Sequence, residues 1–192
     1  MKVLVVVDMQ NDFITGPLGT PEAQAIVPKV AEKIKRYKEN GDVVVYTMDT
    51  HYPDYRETME GRKLPIPHCI KLTDGWLIHP DILEAAGNTY NKSVIEKETF
   101  GSKRLTPSMR ATKYYKLRAM EYVDDEEYDS DFSMIEVVGL CTDICVISNA
   151  MILKSEFPDT PIIVDSSCCA GVTPESHQRA LEAMKMCHID VI

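Results

Sequence analysis

No stretch of this 192-residue chain stays apolar for long. The opening "MKVLVVVDMQNDF" places one lysine ahead of an apolar run of only five residues, too short for a signal peptide. No later run approaches the length of a membrane span. The cytosol is therefore the expected location. Basic side chains are in deficit, 21 against 30 acidic ones, and the net charge of −9 argues against nucleic acid or an anionic membrane as a main partner. Six cysteines occur, but no two stand at C-x-x-C spacing, so nothing supports a zinc ribbon or a thioredoxin-type motif. In the cytosol these cysteines are expected to be reduced, and Cys168, Cys169 and Cys187 read as plain packing residues. Repeats and low-complexity tracts are lacking as well. What remains is an ordinary globular composition, 44% apolar, in a length that suits one domain over residues 1–192 with a full core.

Short apolar runs alternate with amphipathic stretches. Residues 2–8, 42–49, 93–98, 133–140 and 160–166 read as strands, and "HIDVI" closes the chain as a last one. Between the first two, Ile26, Val27, Val30 and Ile34 recur at helical spacing ahead of Gly41, a C-terminal stop. A helix follows the fourth strand through about Ser155. Thr173 reads as an N-cap with Pro174 at the first helical position. The alternation predicts an α/β fold: an open, mostly parallel sheet of about six strands with helices on both faces, a Rossmann-like three-layer sandwich. Two regions interrupt it. Residues 50–90 form a Pro-, Gly- and charge-rich excursion. Residues 102–132 are an inserted segment with a helical stretch, "PSMRATKYYKLRAMEYV", and an acidic run, "DDEEYDSD", read as a solvated loop.

In such sheets ligands sit beyond the carboxyl ends of the strands. Three apolar runs end in chemically capable residues: the first at Asp8, the second at Asp49 with His51 two further on, and the fourth in "VGLCTDICV". Cys145, in the first turn of the following helix, meets free N–H groups and a dipole that favour a thiolate. Cys141 lies nearer the strand end and suits packing. Spacing alone leaves nucleophile, metal ligand and core residue all open for this pair. Asp8 is a candidate acid or base, and Lys97, ending the third strand, a candidate charge stabiliser. Asp49 and His51 point the same way from an extended backbone. With His68 of "LPIPHC" they make a set that Zn²⁺, Mn²⁺ or Fe²⁺ accepts, to which Glu57 or Glu60 adds an oxygen.

In chain order, "VDMQNDF", D-T-H after the second strand, "PHC" in a proline-rich loop, a lysine after the third strand, "VGLCTDICV" and "SSCCAGVTPESHQRAL" resemble the isochorismatase-like cysteine hydrolases, and most of all the nicotinamidases. The resemblance implies amide hydrolysis through a cysteine thioester. Cys145 matches the nucleophile, with Asp8 and Lys97 completing the catalytic set. It also implies a cis peptide between Leu140 and Cys141, with the backbone N–H groups of Cys141 and Cys145 forming an oxyanion hole. Asp49, His51 and His68, joined by Glu60 in some members, match ligands of a divalent metal: zinc first, manganese or iron as alternatives. The metal positions the substrate ring. Phe13 matches an aromatic residue of the family's site, and Phe100 is placed to stack on a flat ring. Pro65 stands where nicotinamidases often carry an aromatic. The implied partner is a small-molecule amide, nicotinamide or a related heteroaromatic amide, or alternatively another small amide, a carbamoyl or a ureido compound. A homo-oligomer is the implied assembly.

Overall fold

Val3–Val7 are β-branched or leucine and fully buried, so the strand they form, β1 (Lys2–Val7), sits inside the sheet with both faces covered. A computed structural model describes residues 1–88, 93–119 and 131–192. It places β2 (Val43–Asp49), β3 (Val94–Lys97), β4 (Met134–Leu140), β5 (Ile162–Ala170) and β6 (Asp190–Val191) beside β1 in the order β3-β2-β1-β4-β5-β6. All pairs are parallel, as the strand–helix alternation predicts. The order reverses between β1 and β4, which opens a crevice at their carboxyl ends.

Seven helices occur among the described residues: α1 (Asn11–Ile14), α2 (Pro21–Glu39), α3 (Met59–Lys63), α4 (Pro80–Ala86), α5 (Leu105–Ala119), α6 (Ile147–Glu156) and α7 (Pro174–Met186). None is long and apolar enough to cross a membrane. Helices α2 and α4 pack together on one face, and α5, α6 and α7 on the other. Lys33 of α2 ties that helix to the sheet through ion pairs with Glu136 and with Asp165 at 2.6 Å, while the Tyr37 hydroxyl donates to Glu136 at 2.5 Å. The Thr173 side chain accepts the Ser176 N–H, so the expected cap of α7 is in place. Helix α2 stops at Glu39, and Gly41 follows in a left-handed conformation (φ +74°) that a side chain would resist.

The structure departs from the sequence pattern in two places. The excursion after β2 is not bare loop: its described residues hold α3, α4 and short 3₁₀ turns, among them Tyr55–Glu57 and Asp74–Trp76. Strand β5 runs on to Ala170, four residues past the expected end, because Cys169 and Ala170 pair with Gly139 and Leu140 across a bulge. The polar "SSCC" hid that continuation. Helix α5 covers the start of the predicted helical stretch. Its remainder, and the acidic run apart from Asp131, lie outside the described residues.

Gly139 makes the bulge possible. Its φ is +117°, and a Cβ there would sit 2.1 Å from the Val7 carbonyl oxygen. Gly139→Ala is therefore expected to cost about 3 kcal/mol of stability, read as a lowered urea midpoint. A midpoint unchanged from wild type would show that the β1–β4 seam yields easily.

Candidate active site

Four strand ends build the site. Asp8 leaves β1 in a left-handed conformation (φ +48°), and its carboxylate accepts from the Thr47 hydroxyl at 2.7 Å. Lys97, the last residue of β3, lies in register beside Asp49 of β2. Its buried ammonium reaches Asp8 Oδ2 at 2.7 Å, Asp49 Oδ1 at 3.3 Å and Cys145 Sγ at 3.4 Å. The three residues Asp8, Lys97 and Cys145, distant in sequence, thus meet around one ammonium group.

After β4 the Leu140–Cys141 peptide is cis. The chain then enters a π-helical turn, Thr142–Val146, before α6 begins. Cys145 therefore lies in this wider turn and not in regular α-helix; such turns recur at functional sites. The Cys141 carbonyl accepts from Ile144 at 3.1 Å and Val146 at 3.0 Å. Thr142 Oγ1 lies 2.8 Å from His177 Nδ1, and Asp143 accepts the Val172 N–H, so α7 and the loop before it hold the turn from behind.

The charges around Cys145 oppose the pull of the helical turn. Burial, reinforced by Asp8 and Asp49, pushes the Cys145 thiol well above its ordinary pKa against the pull of Lys97. Burial thus favours the thiol here, against the thiolate that a helix N-terminus favours. Burial also raises the Asp8 carboxyl, despite Lys97 beside it. A carboxyl and a thiol that are both raised, and that both contact the Lys97 ammonium, are a pair between which one proton can move. Burial alone would lower Lys97, but Asp8, Cys145 and Asp49 hold it well above the usual lysine value. Cys141 is pushed up to about 12, mainly by burial, and is inert as a nucleophile.

Next to Lys97 the four candidate metal ligands converge. One donor atom each from Asp49, His51, Glu60 and His68 lies within 4.8 Å of the others. Glu57 is exposed and outside the cluster. His68 Nδ1 bonds the Ile66 carbonyl at 2.9 Å, which leaves Nε2 with its lone pair towards the cluster. His51 Nε2 is fully buried, within 2.9 Å of Asp49 Oδ2 yet without a properly aligned hydrogen bond. An ion between these groups would satisfy it. Burial would raise Asp49, but its contacts with His51 and His68 and the charge of Lys97 hold it far below the carboxylate range. Two imidazoles and two carboxylates suit a divalent cation. His51→Ala is expected to lower bound zinc at least ten-fold after dialysis, by elemental analysis. Full zinc content in the variant would remove His51 from the site.

Phe13 packs 5.4 Å from the His68 ring, and both line a cavity of about 820 Å³ shared with Cys141, Cys145, Asp49, His51 and Glu60. Phe100 lies at its mouth, 45% exposed. Three contributors escaped the sequence reading. Gln10 clamps Asp49, donating to its carbonyl at 2.8 Å and accepting its N–H at 2.7 Å. Tyr55 sets its buried ring 4.6 Å from His51 in a tilted contact and 5.1 Å from His68 edge-on. Asn149 donates to the Cys145 carbonyl at 2.8 Å and accepts the Ser102 N–H at 3.0 Å. Gln10 stands inside "DMQNDF", so the motif carried a signal for it; the other two had none.

Known proteins share this arrangement of chain and fold. A pyrazinamidase of Pyrococcus horikoshii solved in complex with zinc is 27% identical, with a TM-score of 0.71 over 100% of this chain and 98% of its own. An N-carbamoylsarcosine amidase of Thermoplasma acidophilum is 28% identical, with a TM-score of 0.69 over 99% and 94%. The nicotinamidase/pyrazinamidase of Mycobacterium tuberculosis is 26% identical over 100% of this chain and 98% of its own. The family model for the isochorismatase domain matches residues 2–192, and the chain belongs to that family.

Proposed function

We propose that the protein is an amidase that hydrolyses nicotinamide, or a related heteroaromatic amide, to the acid and ammonia through a thioester on Cys145. The observation that carries this reading is the contact of one buried ammonium, Lys97, with a raised carboxyl and a buried thiol beside a four-ligand cluster. Asp8 takes the thiol proton as sulfur attacks the amide carbon. Lys97 holds the carboxylate and the forming thiolate in place. The oxyanion rests on the N–H groups of Cys141 and Cys145. The tetrahedral centre collapses, the C–N bond breaks, and Asp8 returns the proton to departing ammonia. Asp8 then deprotonates a water that cleaves the thioester, which restores the thiol. Asp49, His51, Glu60 and His68 would hold a divalent ion, zinc first, which when bound attracts a ring nitrogen and so fixes the ring against Phe13.

The test is ammonia release from nicotinamide by zinc- or manganese-loaded protein, with Cys145→Ala as the blank. kcat/KM should fall towards acid with a midpoint above the ordinary aspartate value of about 4, because the raised Asp8 carboxyl must be ionised to act as base. The likeness to N-carbamoylsarcosine amidase, together with Pro65 where nicotinamidases often carry an aromatic, supports a second reading in which the same three residues act on a carbamoyl or ureido compound. Ammonia from such a compound and none from nicotinamide would favour it.

A further inference from the structure

The cavity is far larger than a single ring bearing a carboxamide needs. Its volume of about 820 Å³ is near the top of the range, about 300–1,000 Å³, that houses drug-sized ligands. Exposure sorts its lining by depth. His68 and Asp49 at 3% and Cys145 at 5% form the floor, while Phe100 at 45%, Val172 at 52% and Met59 at 67% form the rim. Leu18, Leu64 and Ile144 lie half-buried between them. These six apolar side chains come from five separate segments: the stretch after α1, helix α3 with its cap, the loop after β3, the nucleophile turn and the loop before α7. An apolar rim assembled from so many segments is the mark of a ligand surface. The exposed charged groups that also line the cavity, Asp54, Lys63 and Glu98, are two acids and one base, so both signs occur there and an anionic extension finds no basic field.

The floor fixes which way a bound ring faces. Lys97 lies between the two chemical poles, 3.3 Å from Asp49 of the cluster and 3.4 Å from Cys145. A ring with its nitrogen at the cluster and its carboxamide on the sulfur turns the edge between those two positions towards Lys97. The opposite edge, position 5 of a nicotinamide ring, then faces the mouth. We infer that the site takes ring amides bearing a neutral, apolar extension on that edge, seated among Leu18, Met59, Leu64, Phe100, Ile144 and Val172. This inference rests on the amidase reading for the pose of the ring.

The experiment is calorimetric titration of the zinc-loaded Cys145→Ala protein with nicotinamide and its 5-ethyl, 5-butyl and 5-phenyl derivatives. The wild-type enzyme titrated with the matching 5-alkylnicotinates gives the same series without a substitution. Kd is expected to tighten by about ten-fold from nicotinamide to the butyl derivative, as methylenes leave water. A Kd that is flat or weakens with chain length overturns the inference, as does the absence of binding across the series. A second copy of the chain seated on the rim would produce such a weakening, and a mass that falls on dilution along with restored binding would identify it. Hydrolysis separates the two readings: tightening without ammonia release removes the amidase and keeps the apolar seat, and release without tightening does the reverse.

Discussion

Cys145→Ala is expected to reduce ammonia release by at least about 10⁴-fold, while Cys141→Ala keeps activity within about ten-fold of wild type. The two thiols are four residues apart and line one cavity, but their surroundings differ. Cys145 is in contact with Lys97 at 3.4 Å, and Asp8 lies 2.7 Å from the same ammonium, so an acceptor for its proton and a partner for its charge stand at one point. Cys141 is held as a thiol near 12, chiefly by burial and Asp143, and what it offers the reaction is its backbone N–H. Alanine retains that N–H. The variants should unfold within a few degrees of wild type, since each loses one sulfur atom, from a buried Cys145 or a half-buried Cys141. Equal loss in both would move the nucleophile assignment; loss in Cys141→Ala alone would reverse it.

The residues that meet at Lys97 were legible because a parallel sheet delivers its strand ends to one edge. Asp8, Asp49 and the Cys141–Cys145 pair each follow an apolar run, Lys97 ends the shorter third strand, and the order β3-β2-β1-β4 sets these strands side by side. Glu60 was legible only through resemblance. Its place depends on Thr58, whose side chain accepts the Gly61 N–H and starts α3 so that Glu60 falls in the first turn facing His51 and His68. Without that cap, Glu57 and Glu60 are indistinguishable in a stretch with no apolar period. Asn149 and Tyr55 were illegible for another reason. Asn149 binds the Cys145 carbonyl and the Ser102 N–H, and the Tyr55 hydroxyl binds the Leu64 carbonyl. Every residue has such backbone groups, so no sequence pattern marks them. The upward pull on the Cys145 thiol was also out of reach, because a position early in a helical turn says nothing of its burial or of the two carboxylates that the fold brings near it.

Lys97→Met should cost both the reaction and the fold. Activity is expected to fall about 10³-fold, because the charge that faces Cys145 and orients Asp8 is gone. Stability at neutral pH should drop by about 3–5 kcal/mol, since Asp8 and Asp49 are left buried without their shared cation. The pH dependence gives the prediction its sign. In wild type the Lys97 pKa is raised, so its stabilisation is complete below the ordinary lysine value and is lost only as pH climbs through the raised one. The Asp8 pKa is also raised on folding, so its ionisation opposes folding as pH rises from the ordinary aspartate value to the raised one. Removing Lys97 enlarges that opposition, and protonating Asp8 relieves it. Asp49 does not share the effect, because its contacts with His51 and His68 keep it ionised far into acid. The gap in urea midpoint between Lys97→Met and wild type should therefore be widest near neutrality and narrow towards pH 5. A gap that stays constant with pH would mean that packing and not charge is lost. No gap at all would make Lys97 no more than a surface-type ion pair, which its three short contacts and burial contradict.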